Sequence, residues 1–510
     1  MATTMKKPML SKSTFVRGCK CLKSLHLYKH HYDLRDEIST SQQALFDQGH
    51  EVGAYARQLF PAGYDCSVVP AVDYTKLVEK TKAAIDSGAK VLYEAGFMFN
   101  NVYAAIDILV IKRNRFYIYE VKSSTEVKDY HYLDASIQFY ILNGLGFSVK
   151  AVHVVTINRD YVRMGSVEPQ KLFGIHDVTK DVLEQQAVIH QQLPIMLNVI
   201  AGDATPNMQI GPQCSKFFDC DFHGHCWQMF DNVEFPVHTI KRLAPEKLCQ
   251  LLDKRILCQS QVPVTFPLSV HQRTQVWANK TKQGLEPDVR AIRDFLSRIK
   301  EPVAFLDFET FSSAVPLFDG IRPYQQVPFQ YSVHVLQNEQ LQHFEFLGDG
   351  KSDPRCELVE NLLPTLQGAK TILCYNMNFE KLRLEELRDT FPSHAKALQK
   401  IIDKLVDLII PFRNKYVYHY KMDGSASLKS VLPAFIPHLS YDHLEIGDGG
   451  TASQAYLNLF NENNAAKVDI TRSALLQYCQ LDTYAMVALW RYLKNVSAPV
   501  SGGRLIKISF

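Results

Sequence analysis

A chain of 510 residues has room for about three domains, or for two large ones joined by a connector. Hydrophobic residues make up 46% of it, and no apolar run reaches the roughly 18 residues of a membrane-spanning helix. The net charge of only +3 does not by itself indicate a nucleic-acid partner. Because there is no signal-peptide pattern, we expect a cytoplasmic protein without a membrane partner. Its 11 cysteines should then be thiols or metal ligands rather than disulfides.

The first predicted elements are helical. Residues 14–31, which contain Cys19 and Cys21, are predicted to form one helix that opens near Ser13 or Thr14. Residues 42–60 are predicted to form a second helix, which Pro61 ends.

Three apolar runs follow at residues 91–124, and the last two are joined by four polar residues, as in a β-hairpin. Glu94 lies on the first run, Asp107 inside the second, and Glu120 and Lys122 near the end of the third. Strand alternation puts Glu120 and Lys122 on one face, where we expect Lys122 to be exposed. The arrangement resembles that of the PD-(D/E)xK nucleases, which implies that the acids hold Mg²⁺ or Mn²⁺ and that the lysine positions or polarises the attacking water. The alternative is a hairpin with ordinary charged ends, but an unpaired carboxylate buried within such a run costs several kcal/mol.

An Asp followed by Glu-x-Lys after a hairpin resembles the PD-(D/E)xK nucleases. The next predicted helix carries Gln138, which extends the resemblance to the RecB-type nucleases, including the CRISPR-adaptation nuclease with an iron–sulfur cluster. The resemblance implies a nuclease domain over residues 1–230 in which Gln138 contributes to the site.

Two positions depart from that group's pattern. The group often has Gln-x-x-x-Tyr, whereas this chain has Leu142 at the last position and Tyr140 nearer to Gln138. The group also often ends Gly-x-x-x-His with a metal-binding His, whereas this chain has Gly53 there. His50 or Glu51 is the alternative ligand.

Three cysteines near the end of this predicted domain, Cys214, Cys220 and Cys226, are separated by five residues each. Such a set needs a fourth ligand, and the resemblance to the iron–sulfur nuclease implies Cys21, with Cys19 as a spare. Four thiolates suit a [4Fe–4S] cluster and also structural Zn²⁺, which His223 or His225 could join. We expect the remaining cysteines to be buried small hydrophobic residues: Cys66, Cys249, Cys258, Cys356, Cys374 and Cys479.

Residues 231–300 are predicted to be a connector of short helices. Its basic residues favour a solvated surface, with a phosphate-contacting bridge as the alternative.

A predicted strand at residues 302–310 carries Asp307 and Glu309 on one face and Phe308 on the other. Two neighbouring carboxylates repel each other unless a cation neutralises them, and oxygen ligands suit Mg²⁺ or Mn²⁺. The alternative is a solvated pair of acids at a strand end.

Paired strands are predicted at residues 331–337 and 342–348, followed by a strand that enters a helix near Glu380. A final helix, predicted at residues 472–493, places Tyr478 and Asp482 on one face. This order of motifs resembles the DEDD 3′–5′ exonucleases of the ribonuclease H-like fold, in their Tyr subclass. The resemblance implies that the four acids bind two metals and that Tyr478 orients the attacking water. The second motif of this group usually carries Asp, whereas this chain has Glu380 there. Asp407 could contribute to the site, although a role in a turn is favoured.

Segments such as FLDFET and YCQLDTYAMVALW also resemble a bacterial family of unknown function that joins these two halves. We therefore predict an α/β protein with a PD-(D/E)xK nuclease domain at 1–230, a connector at 231–300 and a ribonuclease H-like domain at 301–510. The predicted function is metal-dependent cleavage of DNA, single-stranded or at duplex ends, in repair or in defence against phages and plasmids. The alternatives are a nucleic-acid-binding scaffold with one or both sites inactive, and an RNA-processing exonuclease.

Overall fold

The computed structural model describes residues 9–68 and 73–498. Two units divide the chain. Unit 1 comprises the described residues of 1–231 together with 313–325, and unit 2 comprises those of 232–312 and 326–510. Each unit has one mixed sheet with helices around it, so the predicted α/β class is confirmed. None of the described helices is both long enough and apolar enough to cross a membrane.

Unit 1 contains the first seven strands and the first eight helices. The strands are β1 Leu10–Ser11, β2 Tyr64–Asp65, β3 Val91–Phe99, β4 Val102–Lys112, β5 Arg115–Val121, β6 Val149–Ile157 and β7 Phe173–Asp177. The helices are α1 Lys12–Lys20, α2 Leu22–His30, α3 Thr40–Arg57, α4 Tyr74–Asp86, α5 Asp129–Gly144, α6 Pro169–Leu172, α7 Thr179–Ala201 and α8 His223–Cys226.

The centre of this sheet is the β3–β4–β5 meander, in which β4 and β5 form the hairpin that the sequence predicts. Its strands are antiparallel, and the β4–β5 turn consists of Arg113 and Asn114, both with positive φ. Two positive φ values in a two-residue turn match the right-handed twist of the strands, which fixes the register. The sheet order is β2-β3-β4-β5-β6-β7, and β1 pairs with β4.

The predicted single helix at residues 14–31 is wrong. It is two helices, α1 and α2, separated by Cys21, whose backbone is extended at φ −160° and ψ 116°. The Cys21 thiol accepts the N–H of Ser24 and so caps α2. Ser11 caps α1 in the same way through the N–H of Thr14, so both helices begin at a side-chain acceptor.

Unit 2 contains the remaining elements. The strands are β8 Val303–Phe311, β9 Val327–Gln337, β10 Gln340–Leu347, β11 Thr371–Cys374 and β12 Leu405–Asp407. The helices are α9 Pro245–Asp253, α10 Val270–Thr281, α11 Val289–Leu296, α12 Arg355–Gln367, α13 Asn378–Thr390, α14 Ala395–Ile402, α15 Ile410–Arg413, α16 Leu428–Phe435, α17 Gly449–Leu459 and α18 Ala465–Ser497.

The sheet of unit 2 has the order β10-β9-β8-β11-β12, in which β8 pairs antiparallel with β9 and parallel with β11. The predicted strand pair and the predicted strand-to-helix passage are confirmed as β9–β10 and β11–α13. Helix α18 packs across β8 and β9. Helices α10 and α11 of the predicted connector add Ala278, Ile292 and Phe295 to the core that also contains Phe305 and Trp490.

Candidate functional site

Three elements of unit 2 bring four carboxylates to one cavity of about 920 Å³. Strand β8 supplies two acids, and helices α13 and α18 supply one each. We call this group the unit 2 carboxylate cluster: Asp307, Glu309, Glu380 and Asp482. Tyr478 of α18 lines the same cavity. The structure thus brings together all five residues that the sequence predicts for this half of the chain.

Burial dominates the electrostatics of this cluster. It raises the pKa of Glu309 to about 8, with the neighbouring Asp482 adding to the effect. Burial likewise raises the pKa of Glu380 to about 8 and that of Asp482 to about 6. Burial, followed by repulsion from Asp482, holds the pKa of Asp307 far above its usual range. The cluster resists full ionisation and therefore favours a bound cation.

One carboxylate oxygen has no hydrogen-bond partner within the described part of the chain. The side chain of Glu380 is 2% exposed, and its Oε2 lacks any such partner. A buried carboxylate oxygen in this state is costly unless it binds a cation or water.

Two residues that the sequence did not indicate shape this site. The Tyr441 hydroxyl donates a hydrogen bond of 2.6 Å to Oδ1 of Asp482. Lys429 lines the cavity, and its ammonium lies 5.4 Å from the ring centre of Tyr478. Neither residue forms a recognisable spacing with the acids, so no sequence signal could have found them.

The sequence predicts that Cys479 is a small hydrophobic residue of the core, but its thiol also contacts an acid of the cluster. It is fully buried, and its thiol donates to Oδ2 of Asp307 at 3.7 Å. Ligand atoms of Asp307, Glu309 and Cys479 all lie within 4.8 Å of one another. Asp407 instead has the turn role that the sequence favours, since its Oδ1 accepts the N–H groups of Asn376 and Ile409.

Unit 1 gathers a second group of charged residues where the middle of β4 lies beside the end of β5. The Nζ of Lys122 lies 2.9 Å from Oε1 of Glu120 and also pairs with Asp134 of α5. Asp107 accepts the N–H of Val121 at 2.7 Å. Lys12, at the start of α1, donates to both oxygens of Glu120 at 2.7 and 2.9 Å. The sequence did not indicate Lys12 or Asp134.

The charges in this second group are largely compensated. Although burial acts in the opposite direction, Lys12 and Lys122 hold the pKa of Glu120 well below its usual range. Burial, reinforced by Glu120, raises the pKa of Asp107 to about 7. The prediction of an exposed Lys122 is wrong, because its side chain is only 18% exposed between two acids.

The other predicted residues of unit 1 lie around this group. Gln138 is buried and donates to Oε2 of Glu120 at 2.6 Å. Glu94 lines a cavity of about 770 Å³ together with Asp107 and Lys122, and it pairs with Arg57.

The residues that depart from the RecB-type pattern lie partly at the cavity of unit 1 and partly in its core. Gly53 lines the same cavity, and a Cβ built there meets no heavy atom within 4 Å. His50 also lines this cavity, whereas Glu51 is exposed. Leu142 is fully buried in the core, and the Tyr140 hydroxyl accepts a hydrogen bond from Asn100. No imidazole therefore stands at the position of Gly53.

The four predicted cysteine ligands line one small cavity in unit 1: Cys21, Cys214, Cys220 and Cys226. Asp221 ties their loop to the N-terminal segment, with its oxygens 2.6 Å from nitrogens of Arg17 and Arg35. Cys19 packs instead against the hydrophobic core of unit 1.

The expectation of buried cysteines elsewhere holds for Cys66, Cys374 and Cys479. It is wrong for Cys356, which is exposed on α12, and for Cys249 and Cys258, which are half-buried. Cys249 lies on the short helix α9 and Cys258 in a loop, which leaves both partly open to solvent, whereas Cys356 lies at the start of α12.

The known proteins to which this chain is similar are described as uncharacterized, so the similarity assigns no activity. Residues 304–427, which include three of the four cluster acids, match the family described as "Domain of unknown function (DUF2779)". An uncharacterized protein of Mycoplasma pneumoniae is 30% identical over 223 residues, 39% of this chain and 33% of that protein. An uncharacterized protein of Mycoplasma genitalium is 24% identical over 231 residues, with the same coverage of 39% and 33%. The chain thus spans about a third of the length of these curated relatives.

Proposed function

We propose that unit 2 hydrolyses DNA from its 3′ ends with Mg²⁺ or Mn²⁺ held by the unit 2 carboxylate cluster. The observation that carries this proposal is the convergence of four carboxylates, three of them buried, on one cavity, with Oε2 of Glu380 unpartnered among the described residues. Such a group is unfavourable unless a cation is bound, and carboxylate oxygens are the ligands that Mg²⁺ and Mn²⁺ prefer.

The donor set fits these metals. Bound in pairs, such ions activate water and stabilise the leaving oxygen of a phosphodiester. Tyr441 donates to one oxygen of Asp482, which holds this acid at the wall of the cavity. Lys429 and Arg413 also line the cavity and can attract a DNA phosphate, and Tyr478 is close enough to the acids to orient a water.

For unit 1 we propose a second, RecB-like site formed by Asp107, Glu120, Lys122 and Gln138. The contacts of Lys122 and Gln138 with Glu120 support this proposal. One observation favours an inactive binding module instead, because both oxygens of Glu120 already accept hydrogen bonds from Lys12. For the four-cysteine cavity we propose a [4Fe–4S] cluster, with Zn²⁺ as the alternative, because four cysteines line one cavity and thiolates are ligands of both groups.

An assay with end-labelled substrates tests the proposal. Full-length protein is incubated with single-stranded and duplex DNA, in Mg²⁺ or Mn²⁺ and in EDTA, with RNA as a parallel substrate. We expect a metal-dependent ladder of shortened 3′ ends, absent with Asp307→Ala. Asp469→Ala, which removes an exposed acid from the same helix as Asp482, is the matched control. A ladder that survives Asp307→Ala would show that unit 2 is a binding module.

A further inference from the structure

A lysine side chain lies between the two predicted metal-binding acids of unit 1. The Nζ of Lys12 is 2.7 and 2.9 Å from the two oxygens of Glu120 and 3.7 Å from Oδ1 of Asp107. Lys122 donates to Oε1 of Glu120 and Gln138 donates to Oε2, so each oxygen of Glu120 has two donors. An ammonium therefore stands where a metal ion would bridge Asp107 and Glu120.

The backbone around Lys12 holds this ammonium in place. Strand β1 pairs with β4, with Ser11 opposite Tyr103, and Ser11 then caps α1. Lys12 is the first residue of that helix, so its side chain starts next to the strand that carries Asp107. The side chain is only 20% exposed. Its contacts are therefore part of the packed structure and not those of a solvated surface lysine.

The charge balance of the group agrees with this geometry. The carboxylates of Asp107, Glu120 and Asp134 meet the ammonium groups of Lys12 and Lys122, which leaves at most one negative charge when all three acids are ionised. A divalent ion entering between Asp107 and Glu120 would meet the ammonium of Lys12 and would need oxygens that already accept hydrogen bonds. As they stand, the predicted ligands of unit 1 do not fit a divalent metal, unlike the unit 2 carboxylate cluster.

We propose that Lys12 is a built-in cation that takes the metal position of unit 1, so that a divalent ion binds there only when Lys12 withdraws. Lys12 thus sets the metal affinity of this site. Its use in cleavage rests on the proposed function, whereas metal binding itself does not.

The test measures Mn²⁺ binding in the absence of DNA. Full-length protein with Asp307→Ala, which weakens binding in unit 2, is titrated with Mn²⁺ and the free ion is followed by electron paramagnetic resonance. Adding Lys12→Met removes the ammonium but keeps the apolar stem of the side chain. We expect Mn²⁺ to bind at least about tenfold more tightly, since releasing one charged contact is worth about 1.4 kcal/mol or more. Lys12→Arg keeps the charge and should bind Mn²⁺ as weakly as the parent.

Lys112→Met, an exposed lysine at the end of β4, is the matched control and should leave the affinity unchanged. Circular dichroism and thermal melting check that each variant folds. If Lys12→Met does not fold, Lys12→Gln is judged by the same criterion. An unchanged or weaker Mn²⁺ affinity in the folded neutral variant would overturn the proposal. Failure of the proposed function would show as absent DNA cleavage, with this difference in Mn²⁺ affinity intact.

Discussion

The phenol of Tyr441 donates a hydrogen bond of 2.6 Å to Oδ1 of Asp482, 41 residues further along the chain. Tyr441 lies between α16 and α17, outside any regular element, whereas Asp482 lies within α18. The bond fixes one oxygen of a carboxylate that is only 7% exposed. This anchor fixes the orientation of the acid, and the nearby Lys429 contributes a favourable charge.

Replacing Tyr441 by Phe removes this donor while keeping the ring. A hydrogen bond to a charged group contributes about 1.5–3 kcal/mol, so we expect at least a roughly tenfold loss of 3′-end degradation at limiting Mn²⁺. The measurement is the initial rate on end-labelled single-stranded DNA over a Mn²⁺ series. The control is Tyr484→Phe, which changes an exposed tyrosine on α18, the helix that carries Asp482. This variant should match the parent. Equal rates for Tyr441→Phe and the parent would contradict the proposed orientation of Asp482.

The [4Fe–4S] cluster that we propose for the four-cysteine cavity should give the protein a colour. Protein purified without oxygen should be brown and contain iron and sulfide, and Cys220→Ser should lose the colour and lower the melting temperature of unit 1. The reason is that a site with ligands at residue 21 and residues 214–226 joins the two ends of that unit. Cys356→Ser, an exposed cysteine of unit 2, is the control and should change neither property. Colourless protein with about one zinc per chain would decide for the structural alternative.

Lys122→Ala should destabilise unit 1 as well as remove cleavage there. The sequence predicts an exposed lysine whose loss leaves the fold intact, but Lys122 pairs with both Glu120 and Asp134. Removing one partner of a buried ion pair costs about 3–5 kcal/mol, because the remaining charge is left uncompensated. The measurement is the urea midpoint of unfolding. Lys150→Ala, an exposed lysine of β6, is the control, and Asp134→Asn added to Lys122→Ala should recover part of the loss. An unchanged midpoint would refute this.

The strands and the acids on them were predictable because their signals are local. Alternation along residues 302–310 places Asp307 and Glu309 together, and the polar turn at Arg113 and Asn114 marks the β4–β5 hairpin. Both patterns depend on neighbouring residues only. The helix break at Cys21 has no such signal, since neither Pro nor Gly occurs at residues 19–23. It depends on a thiol acting as a helix cap.

Lys12 and Tyr441 were not predictable for a different reason. The contact between Lys12 and Glu120 joins residues 108 positions apart. It exists because β1, only two residues long, pairs with β4. Nothing in the spacing of acids along the chain indicates which distant lysine or tyrosine will contact them. Long-range pairing therefore decides whether a carboxylate group is neutralised by the protein itself or left to bind a metal.

The stability of metal-free unit 2 should fall as the pH rises. In the folded state the pKa of Glu309 is raised from its ordinary 4.5 to about 8, and that of Glu380 likewise. The folded state therefore binds more protons than the unfolded state between about pH 4.5 and pH 8, and this contribution to stability is lost across that window. Mn²⁺ should raise the melting temperature more at pH 8 than at pH 6, because fewer protons have to be displaced.

Glu309→Gln tests this dependence directly. The amide does not titrate, so the variant should melt at a higher temperature than the parent at pH 8 without metal. It should also gain less from Mn²⁺, because a ligand is missing. Intrinsic tryptophan fluorescence, to which Trp490 contributes from the core of unit 2, follows the transition at a series of pH values. Glu286→Gln, an exposed acid of the same unit, should keep the parent's profile. If Glu309→Gln also keeps that profile, the acids of this cluster are already neutralised by other means, and a divalent ion has no role in holding them together.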